Sequence, residues 1–446
     1  MMRTQFHFVF LLALAAPGVT AQVPSEPAKV LGLEVTGSQQ ASTSRPAAPA
    51  QAEEPAILAA LVQEALQKNP AVQSASRQVQ ALRHRVPQAK TLPDPTVGVG
   101  WTGNIAPFSV QTGDPSSYRG ITASQTLPYP GKLALQGKIA DREAEAAYWD
   151  YESVRRRVVA DVKTVYYDYA FYTKAIETTK RNKELLDQLS KISEARYRVG
   201  KGVQQDVLKS QVEISMVEQR LTMLEQQLRT AQAKINTLLF RDPETALPVP
   251  APLEPVKLQY SLDQLYEMAL AQDTGIQREQ RMVERSRYAA DLAKKSYYPD
   301  FSVGYMFQQR PQLPDMNGFT VTVNVPVFYK TKQREAVRET TEQLISAEQS
   351  KNNRKTELFF AVKEQYLMAK SSERLFQLYS EGVVPQSSLA LESSMSAYQV
   401  GNVDFLTVLS NFTTILDYEV NYYRELANYN MAVARLEPLV GTELAK

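Results

Sequence analysis

The sequence predicts a mainly helical fold with a small β part, in which a helix–hairpin–helix–helix unit occurs twice. Three observations predict this fold class. The stretch YRVGKGVQQDVL, which begins at Tyr197, matches YQVGNVDFLTVL, which begins at Tyr398, at an offset of 201 residues. Long proline-free stretches carry apolar residues at coiled-coil spacing. Four short segments alternate apolar and small polar residues, which is typical of strands.

The repeat extends over most of the chain after residue 56. Its other matching positions are, in pairs, Pro93-Asp94 and Pro299-Asp300, Pro128 and Pro326, and Ala65-Leu66 and Ala269-Leu270. We therefore divide the chain into a first repeat at 57–241, a proline-rich linker at 242–258, a second repeat at 259–441 and a tail at 442–446. A period of roughly 185 residues is too long for an ordinary solenoid.

The amino terminus has the features of a secretory signal over residues 1–21. Arg3 precedes the apolar run from Phe8 to Ala16, and Val19-Thr20-Ala21 resembles a small-residue cleavage site. Residues 22–56 are rich in Ala, Pro, Ser and Gln, and such a segment buries too little apolar surface to offset the entropy of ordering. We therefore expect an exported chain with a disordered leader.

Two long helices are predicted in the first repeat, because proline is absent from residues 131–242. Gly200 and Gly202 divide this stretch into a helix at about 137–199, on the order of 90 Å long, and another at about 203–240. The second helix and its counterpart in repeat two have a heptad pattern, which favours left-handed supercoiling. The heptad positions are Val207, Ser210, Ile214, Val217, Leu221, Leu224, Leu228, Ala231, Ile235 and Leu238, and then Phe405, Val408, Phe412, Ile415, Glu419, Tyr422, Leu426, Tyr429, Val433, Leu436 and Val440.

Four strands are predicted, at about 95–103, 118–127, 300–308 and 318–327. Their apolar faces carry Val97, Val99 and Trp101; Ile121, Ala123 and Leu127; Phe301, Val303, Tyr305 and Phe307; and Phe319, Val321, Val323, Val325 and Val327. Strands of this length cross a bilayer when they are tilted. No uninterrupted apolar run of 18 residues follows the signal, so strands rather than helices are expected to cross a membrane.

The strand pattern leaves two interpretations open. A soluble sheet packed on helices is one of them. A transmembrane sheet also explains the small hydroxyl and glycine residues of the polar faces, because these suit a water-filled lumen. Open sheet edges are costly in lipid and small barrels have eight strands, so four strands per chain require at least two chains, and three chains would give twelve strands.

Composition excludes several functions. The 50 basic and 48 acidic residues nearly balance, which gives no reason to expect a nucleic-acid partner. The chain has no cysteine, and therefore no disulfide, thiolate metal site or lipidated amino-terminal cysteine. His84 is the only histidine after the signal, so His-dependent catalytic triads and His-rich zinc sites lack their parts. We expect no enzyme activity, cofactor or resident metal.

These residues resemble those of a TolC-type outer-membrane factor, over residues 57–441. The resemblance is carried by the duplicated unit, the strand-exit prolines Pro128 and Pro326, and the YxVG turns at Tyr197 and Tyr398. Val384-Pro385-Gln386, together with the stretch YQVGNVDFL, is similar in particular to the heavy-metal efflux branch of that family.

The resemblance implies a homotrimer with one twelve-stranded barrel in the outer membrane and a coiled-coil tunnel in the periplasm. It implies a passive exit duct of a tripartite efflux system, energised by an inner-membrane pump of the RND type through a periplasmic adaptor protein. Outer-membrane lipid would surround the barrel. A periplasmic adaptor, a coiled-coil scaffold and a type I secretion duct are the alternatives, and the cargo stays open.

The resemblance also implies site residues at the two helix–helix turns. Val199-Gly200 and Val400-Gly401 would receive the adaptor, although turn glycines also occur without such a role. Asp206 and Asp404 are candidates for an acidic gate, and helix-start caps are the alternative role. The match of the gate is incomplete, because Thr407 and Ser410 stand in repeat two where an acidic residue is usual.

Overall fold

The computed structural model describes residues 56–104 and 109–444. The predicted signal peptide and all of the predicted leader except its last residue lie outside the described residues. The elements follow in the order α1 (Ala56–Lys68), α2 (Pro70–Lys90), β1 (Thr96–Thr102), β2 (Tyr118–Leu127), α3 (Lys132–Arg198), α4 (Gln204–Leu238), α5 (Leu262–Gln272), α6 (Thr274–Lys295), β3 (Asp300–Gln309), β4 (Met316–Asn324), α7 (Gln333–Leu378), a π-helical turn (Tyr379–Val383), α8 (Val384–Val400) and α9 (Phe405–Val440).

Each repeat begins with a helix that is broken once, a break that the predicted unit did not include. Asn69 separates α1 from α2, and its side chain accepts a hydrogen bond from the backbone N–H of Ala71 at 2.9 Å. Asp273 separates α5 from α6, and its carboxylate accepts from the N–H of Ile276 at 2.7 Å. Both residues cap the second helix of their pair, as short polar side chains do at helix N-termini.

The heptad positions pack the long helices together. In α4 the residues Val217, Leu224, Ala231 and Ile235 are buried. In α9 every predicted heptad position is buried except Glu419 and Tyr422. Burial of these stripes removes apolar surface from water and stabilises the packed helices by roughly 25 cal/mol per Å².

The four strands form one antiparallel sheet in the order β1–β2–β3–β4. The two repeats meet in its centre, where Ala123 of β2 lies opposite Tyr305 of β3. β4 ends at Asn324, three residues before the predicted end of the last strand, because Pro326 has no N–H to continue the ladder. β1 and β4 are the edges, and neither has a second strand partner in the described part of the chain.

One face of the sheet is apolar and exposed. Val99 is 83% exposed, Phe319 80% and Val321 70%. The register places the apolar residues of all four strands side by side, with Val97 opposite Ala123 and Val303 opposite Val321. No helix among the described residues covers this face, so the sheet does not form the helix-packed layer of the soluble alternative. None of the described helices is both long and apolar enough to cross a membrane.

Candidate functional site

The candidate site consists of two tip turns, residues 199–203 between α3 and α4 and residues 401–404 between α8 and α9. Both turns reverse the chain through a glycine with positive φ, +73° at Gly200 and +88° at Gly401. In each turn the residue after the glycine donates its N–H five residues back, Lys201 to Arg196 at 2.8 Å and Asn402 to Ala397 at 2.9 Å. This is the Schellman pattern of helix C-termini, which requires the left-handed conformation that glycine adopts most readily.

The surface around the two glycines is open. A Cβ added at Gly200 would meet no atom within 4 Å, and one at Gly401 would meet only Nη2 of Arg196, at 3.6 Å. The neighbouring valines are exposed, Val199 at 68% and Val400 at 72%. The glycines are therefore required by backbone conformation rather than by packing within the chain, and the turns leave apolar surface uncovered.

Arg196 joins the two turns, although the sequence patterns did not indicate it as a site residue. Its guanidinium lies over the ring of Tyr398, 4.4 Å from the ring centroid. Nη1 donates to the backbone oxygen of Tyr398, and Nη2 donates to that of Lys201 at 3.2 Å. One cation thus contacts both repeats. The repeat alignment holds a weak signal of this role, because Arg196 aligns with the uncharged Ala397.

Asp206 contacts the hydroxyl end of Tyr398. The Tyr398 hydroxyl donates to Oδ2 of Asp206 at 3.5 Å, and Tyr398 is only 2% exposed. Burial raises the pKa of Asp206 above its ordinary value, and the charge of Asp404 raises it further. The Tyr398 hydrogen bond and the positive charges of Arg196 and Lys209 act in the opposite direction. Both predicted acidic residues therefore lie in the same small cluster.

The two acidic residues differ in their local roles. Asp206 is the third residue of α4, whose N-cap position is Val203, so its side chain does not cap that helix. Asp404 occupies the N-cap position of α9, yet its side chain accepts from the hydroxyl of Thr407 and makes no capping bond to the backbone. The cap alternative therefore does not describe Asp206, and it describes Asp404 only by position.

An open groove of about 460 Å³ lies beside the α3–α4 turn. Its lining includes Leu208, Val212 and Leu409, with Lys209 and Glu213 among the polar residues. Leu208 is 53% exposed and Val212 60%. Apolar surface thus continues from the tip turns along α4. Within the described residues, no group of His, Cys, Asp and Glu side chains could hold a metal ion.

Comparisons with known proteins agree with this architecture. The toxin and drug export protein A of Aggregatibacter actinomycetemcomitans is 26% identical over 212 residues, which are 46% of this chain and 46% of that relative. The chain thus spans about half the length of the curated relative that it matches. Among solved structures, the outer-membrane channel OprN matches with a TM-score of 0.76 at 16% identity, over 87% of this chain and 91% of OprN. CusC matches with a TM-score of 0.72 at 16% identity, over 87% of this chain and 92% of CusC.

A family model described as outer membrane efflux protein matches residues 61–239 and 265–442, one stretch in each repeat. The matches confirm the predicted fold class, the TolC-type resemblance and the outer-membrane location. They do not select the heavy-metal branch, because OprN and CusC match at the same identity and with similar scores. The chain belongs to the outer membrane efflux protein family.

Proposed function

We propose that this chain is the outer-membrane exit duct of a tripartite efflux system and carries small solutes passively from the periplasm to the outside. The observation that carries the proposal is the sheet, which has an uncovered apolar face and two unpaired edges. In lipid each unpaired backbone group costs several kcal/mol, roughly the cost of an unsatisfied buried polar group, so the edges need partners.

Three copies provide those partners. β1 and β4 are antiparallel to their neighbours within the sheet, so β4 of one copy can pair with β1 of the next in the same antiparallel sense. Twelve strands then close into one barrel with the Val and Phe side chains toward lipid. Thr122, Ser124 and Thr320 line the opposite face, and they are compatible with a water-filled lumen.

The tip turns are the proposed docking site for a periplasmic adaptor protein. A homotrimer presents six of them, each with an open glycine beside an exposed valine, at Gly200 and Val199 and at Gly401 and Val400. A partner helix can approach the backbone closely where no Cβ intervenes. The groove beside Leu208 and Val212 extends this apolar surface. The adaptor would connect the duct to an inner-membrane pump of the RND type.

Asp206 and Asp404 are the proposed gate residues, and Arg196 and Tyr398 hold the gate closed. The cluster joins the two repeats of one chain, so opening requires the Arg196–Tyr398 and Tyr398–Asp206 contacts to break. Three copies would place six carboxylates around the mouth. A ring of carboxylates at a narrow aqueous mouth favours cations over anions.

A divalent metal ion is the proposed cargo, on the motif similarity of Val384-Pro385-Gln386 and the Tyr398 turn to the heavy-metal branch. A second candidate function is the exit duct of a secretion system. The similarity to a relative named toxin and drug export protein A favours this second candidate. The two functions share the duct and differ in the partner that loads it.

The test is to add the purified mature protein to planar lipid bilayers and to compare a deletion strain with its parent. We expect stable conductance steps from a detergent-extracted trimer, and sensitivity of the deletion strain to divalent metals alone. Broad drug sensitivity or failed export of a protein would reject the metal cargo and retain the duct. A monomer that is well behaved without detergent and shows no conductance would reject the duct itself.

A further inference from the structure

Four strand–helix junctions lie at the same end of the four strands, which we call the helix end of the sheet. We define them as residues 90–95, 128–132, 294–299 and 325–334. The register places them together, because Leu127 at the end of β2 lies opposite Phe301 near the start of β3. Asp300 at the start of β3 lies opposite Asn324 at the end of β4. Every connection between a strand and a helix thus lies at the helix end of the sheet.

The junctions are strongly basic, whereas the loops at the opposite end of the strands are not. Asp94 is the only acidic residue within these bounds, and Asp300 and Glu335 directly follow two of the junctions. The loops at that opposite end, residues 103–117 and 310–315, contain one basic residue, Arg310, and two acidic residues, Asp114 and Asp315. The basic residues of the junctions are Lys90, Lys132, Lys294, Lys295, Lys330, Lys332 and Arg334. A chain that is nearly neutral overall therefore concentrates positive charge at the helix end of its sheet.

Two of these lysines make contacts at the strand ends. Lys132 donates to the carboxylate of Asp300 at 2.8 Å and to the backbone oxygen of Tyr298 at 3.1 Å. Lys295 donates to the oxygen of Pro130 at 3.3 Å and lies over the ring of Tyr129. These contacts tie the end of β2 to the start of β3, and they give the junctions a defined structure.

Three other lysines are exposed and have no carboxylate partner among the described residues, namely Lys90, Lys330 and Lys332. Lys294 and Arg334 pair only with exposed carboxylates of their own helices, at 3.0 Å in both cases. Exposed pairs of this kind are weak and break readily. The junctions therefore hold more positive charge than the chain itself neutralises.

Aromatic residues lie between the cations. Phe328 is 74% exposed, Tyr298 50% and Tyr329 48%. Aromatic rings with a polar edge favour the boundary between hydrocarbon and head groups. The exposed apolar face of the sheet stops at the helix end, so the rings and the cations lie where lipid head groups would meet the protein.

We propose that the strand–helix junctions bind the phosphate groups of anionic phospholipids in the periplasmic leaflet of the outer membrane. The helices leave the sheet from the helix end, and in this family they extend into the periplasm. Lysines beside an anionic lipid surface each add attraction that falls off within a Debye length. The cations would hold the sheet at a fixed depth, while the rings occupy the interface.

The proposal rests on the outer-membrane placement and does not depend on adaptor docking or on the cargo. Its test uses the purified protein in neutral detergent, titrated with phosphatidylglycerol or with phosphatidylcholine. Bound lipid is counted by native mass spectrometry. One lysine contributes about fivefold in affinity near an anionic surface, so three contribute on the order of a hundredfold. We expect a preference for phosphatidylglycerol of that order at low salt, and a smaller one at high salt.

The triple variant Lys90→Gln, Lys330→Gln, Lys332→Gln should lose at least tenfold of this preference. The matching Lys→Arg variant should keep it, because the charge is unchanged. A control replaces Lys180, Lys191 and Lys355 by Gln, exposed helix positions at least about 30 Å along their helices from the junctions. The proposal is overturned if the wild type binds both lipids equally, or if the control loses as much preference as the junction variant. Equal binding would leave conductance, and hence the duct, intact.

Discussion

At the scale of single residues, the contacts of Arg196 distinguish the tip turns from ordinary helix ends. Its guanidinium contacts the ring and the backbone oxygen of Tyr398 and reaches Lys201 in its own turn. A cation–π contact of a half-buried guanidinium contributes about 0.5–2 kcal/mol, and a charge-assisted hydrogen bond about 1.5–3 kcal/mol. Contacts of this size are large enough to bias the proposed gate between its two states.

Replacement of Arg196 by Ala should favour the open tip. The variant loses the ring contact and both hydrogen bonds, so we expect the closed arrangement to lose about 2–4 kcal/mol and the open probability in planar bilayers to rise more than tenfold. Arg198→Ala is the matched control, because Arg198 is exposed and pairs only with Glu194 on its own helix. A variant at Arg196 that conducts like the control would remove Arg196 from the gate.

The raised pKa of Asp206 predicts closure of the tip in acid. The observed cluster, which is the closed state of the proposed gate, buries the carboxyl, so its pKa there lies above the ordinary value of 3.8. We expect the carboxyl to regain that ordinary value when an open tip exposes it to solvent. The closed state therefore binds the proton first, and its stability rises as the pH falls through the raised pKa. The gain is complete below 3.8.

Conductance measured against pH checks this sign. We expect the open probability to fall on acidification through this window, and Asp206→Asn to have a low open probability at neutral pH with little further change. Asp404→Asn serves for comparison, because Asp404 only adds to the shift at Asp206. An open probability that rises in acid, or an Asn variant that keeps the full pH response, would contradict the assignment.

Bulky residues at both tip glycines should prevent adaptor docking and leave assembly intact. The double variant Gly200→Leu, Gly401→Leu meets little steric conflict within the chain, and its left-handed conformation costs roughly 1–2 kcal/mol at each turn. We expect the resistance of the strain to divalent metals to fall to the level of the deletion strain, while trimers persist on native gels. Gly382→Leu is the control, because Gly382 is equally open but lacks positive φ. Wild-type resistance in the double variant would reject the docking role.

At the scale of elements, α3 and α9 enclose a buried ion pair. Lys163 and Glu437 lie 2.9 Å apart, and their side chains are only 2% and 8% exposed. The other carboxylate oxygen of Glu437 accepts from the N–H of Leu444 at 3.2 Å. The pair thus fixes α9, and the residues that follow it, against the middle of α3. Removal of one member of a buried ion pair typically costs about 3–5 kcal/mol. The exposed Glu443, 4.0 Å from the Lys163 ammonium, is a more distant and more solvated partner than Glu437.

Glu437→Leu should therefore lower the free energy of unfolding by about 3 kcal/mol or more. The surface change Glu194→Leu, which breaks the exposed pair with Arg198, should change it by less than about 1 kcal/mol. Thermal unfolding of the detergent-solubilised protein, followed by helical circular dichroism, compares the two variants. Equal melting temperatures for both would show that the buried pair contributes nothing beyond its apolar surroundings.

The elements that periodic patterns describe could be predicted from the sequence. The heptads of α4 and α9 and the alternation of the four strands appear at their expected positions, because burial imposes a period on the chain. The break of the long helix in repeat two could not be predicted from the repeat, because α3 is continuous. Its cause is Pro385, which lacks an N–H and clashes with the preceding turn, so that Val384 donates to Tyr379 in a π-helical turn instead.

Part of the candidate site was also beyond the sequence. Gly200 and Gly401 were predicted because a repeated glycine after a long helix indicates a turn. The contact of Arg196 with Tyr398 joins residues 202 positions apart, and no periodic pattern encodes a pairing at that separation. The same holds for the junction lysines, because their positions relative to each other follow from the strand register.

At the scale of the whole molecule, the subunits join through their edge strands: we propose that β1 of one copy pairs with β4 of another in the membrane. The antiparallel order of the sheet, its two unpaired edges and its exposed apolar face favour this pairing. The inner strands β2 and β3 already have partners on both sides. Only the edge strands can therefore form the contacts between subunits within the sheet.

Disulfide cross-linking in isolated outer membranes detects this pairing of β1 with β4, and the chain has no cysteine of its own to interfere. A panel of variants combines Cys at Val97, Val99 or Trp101 of β1 with Cys at Phe319, Val321 or Val323 of β4. Controls carry Cys at Ala123 of β2 alone or at Val303 of β3 alone. After oxidation, we expect one or more β1–β4 combinations to give a ladder that ends at the covalent trimer, and the controls to stay monomeric. A panel without cross-links, or a ladder that ends at the dimer, would contradict the trimeric barrel.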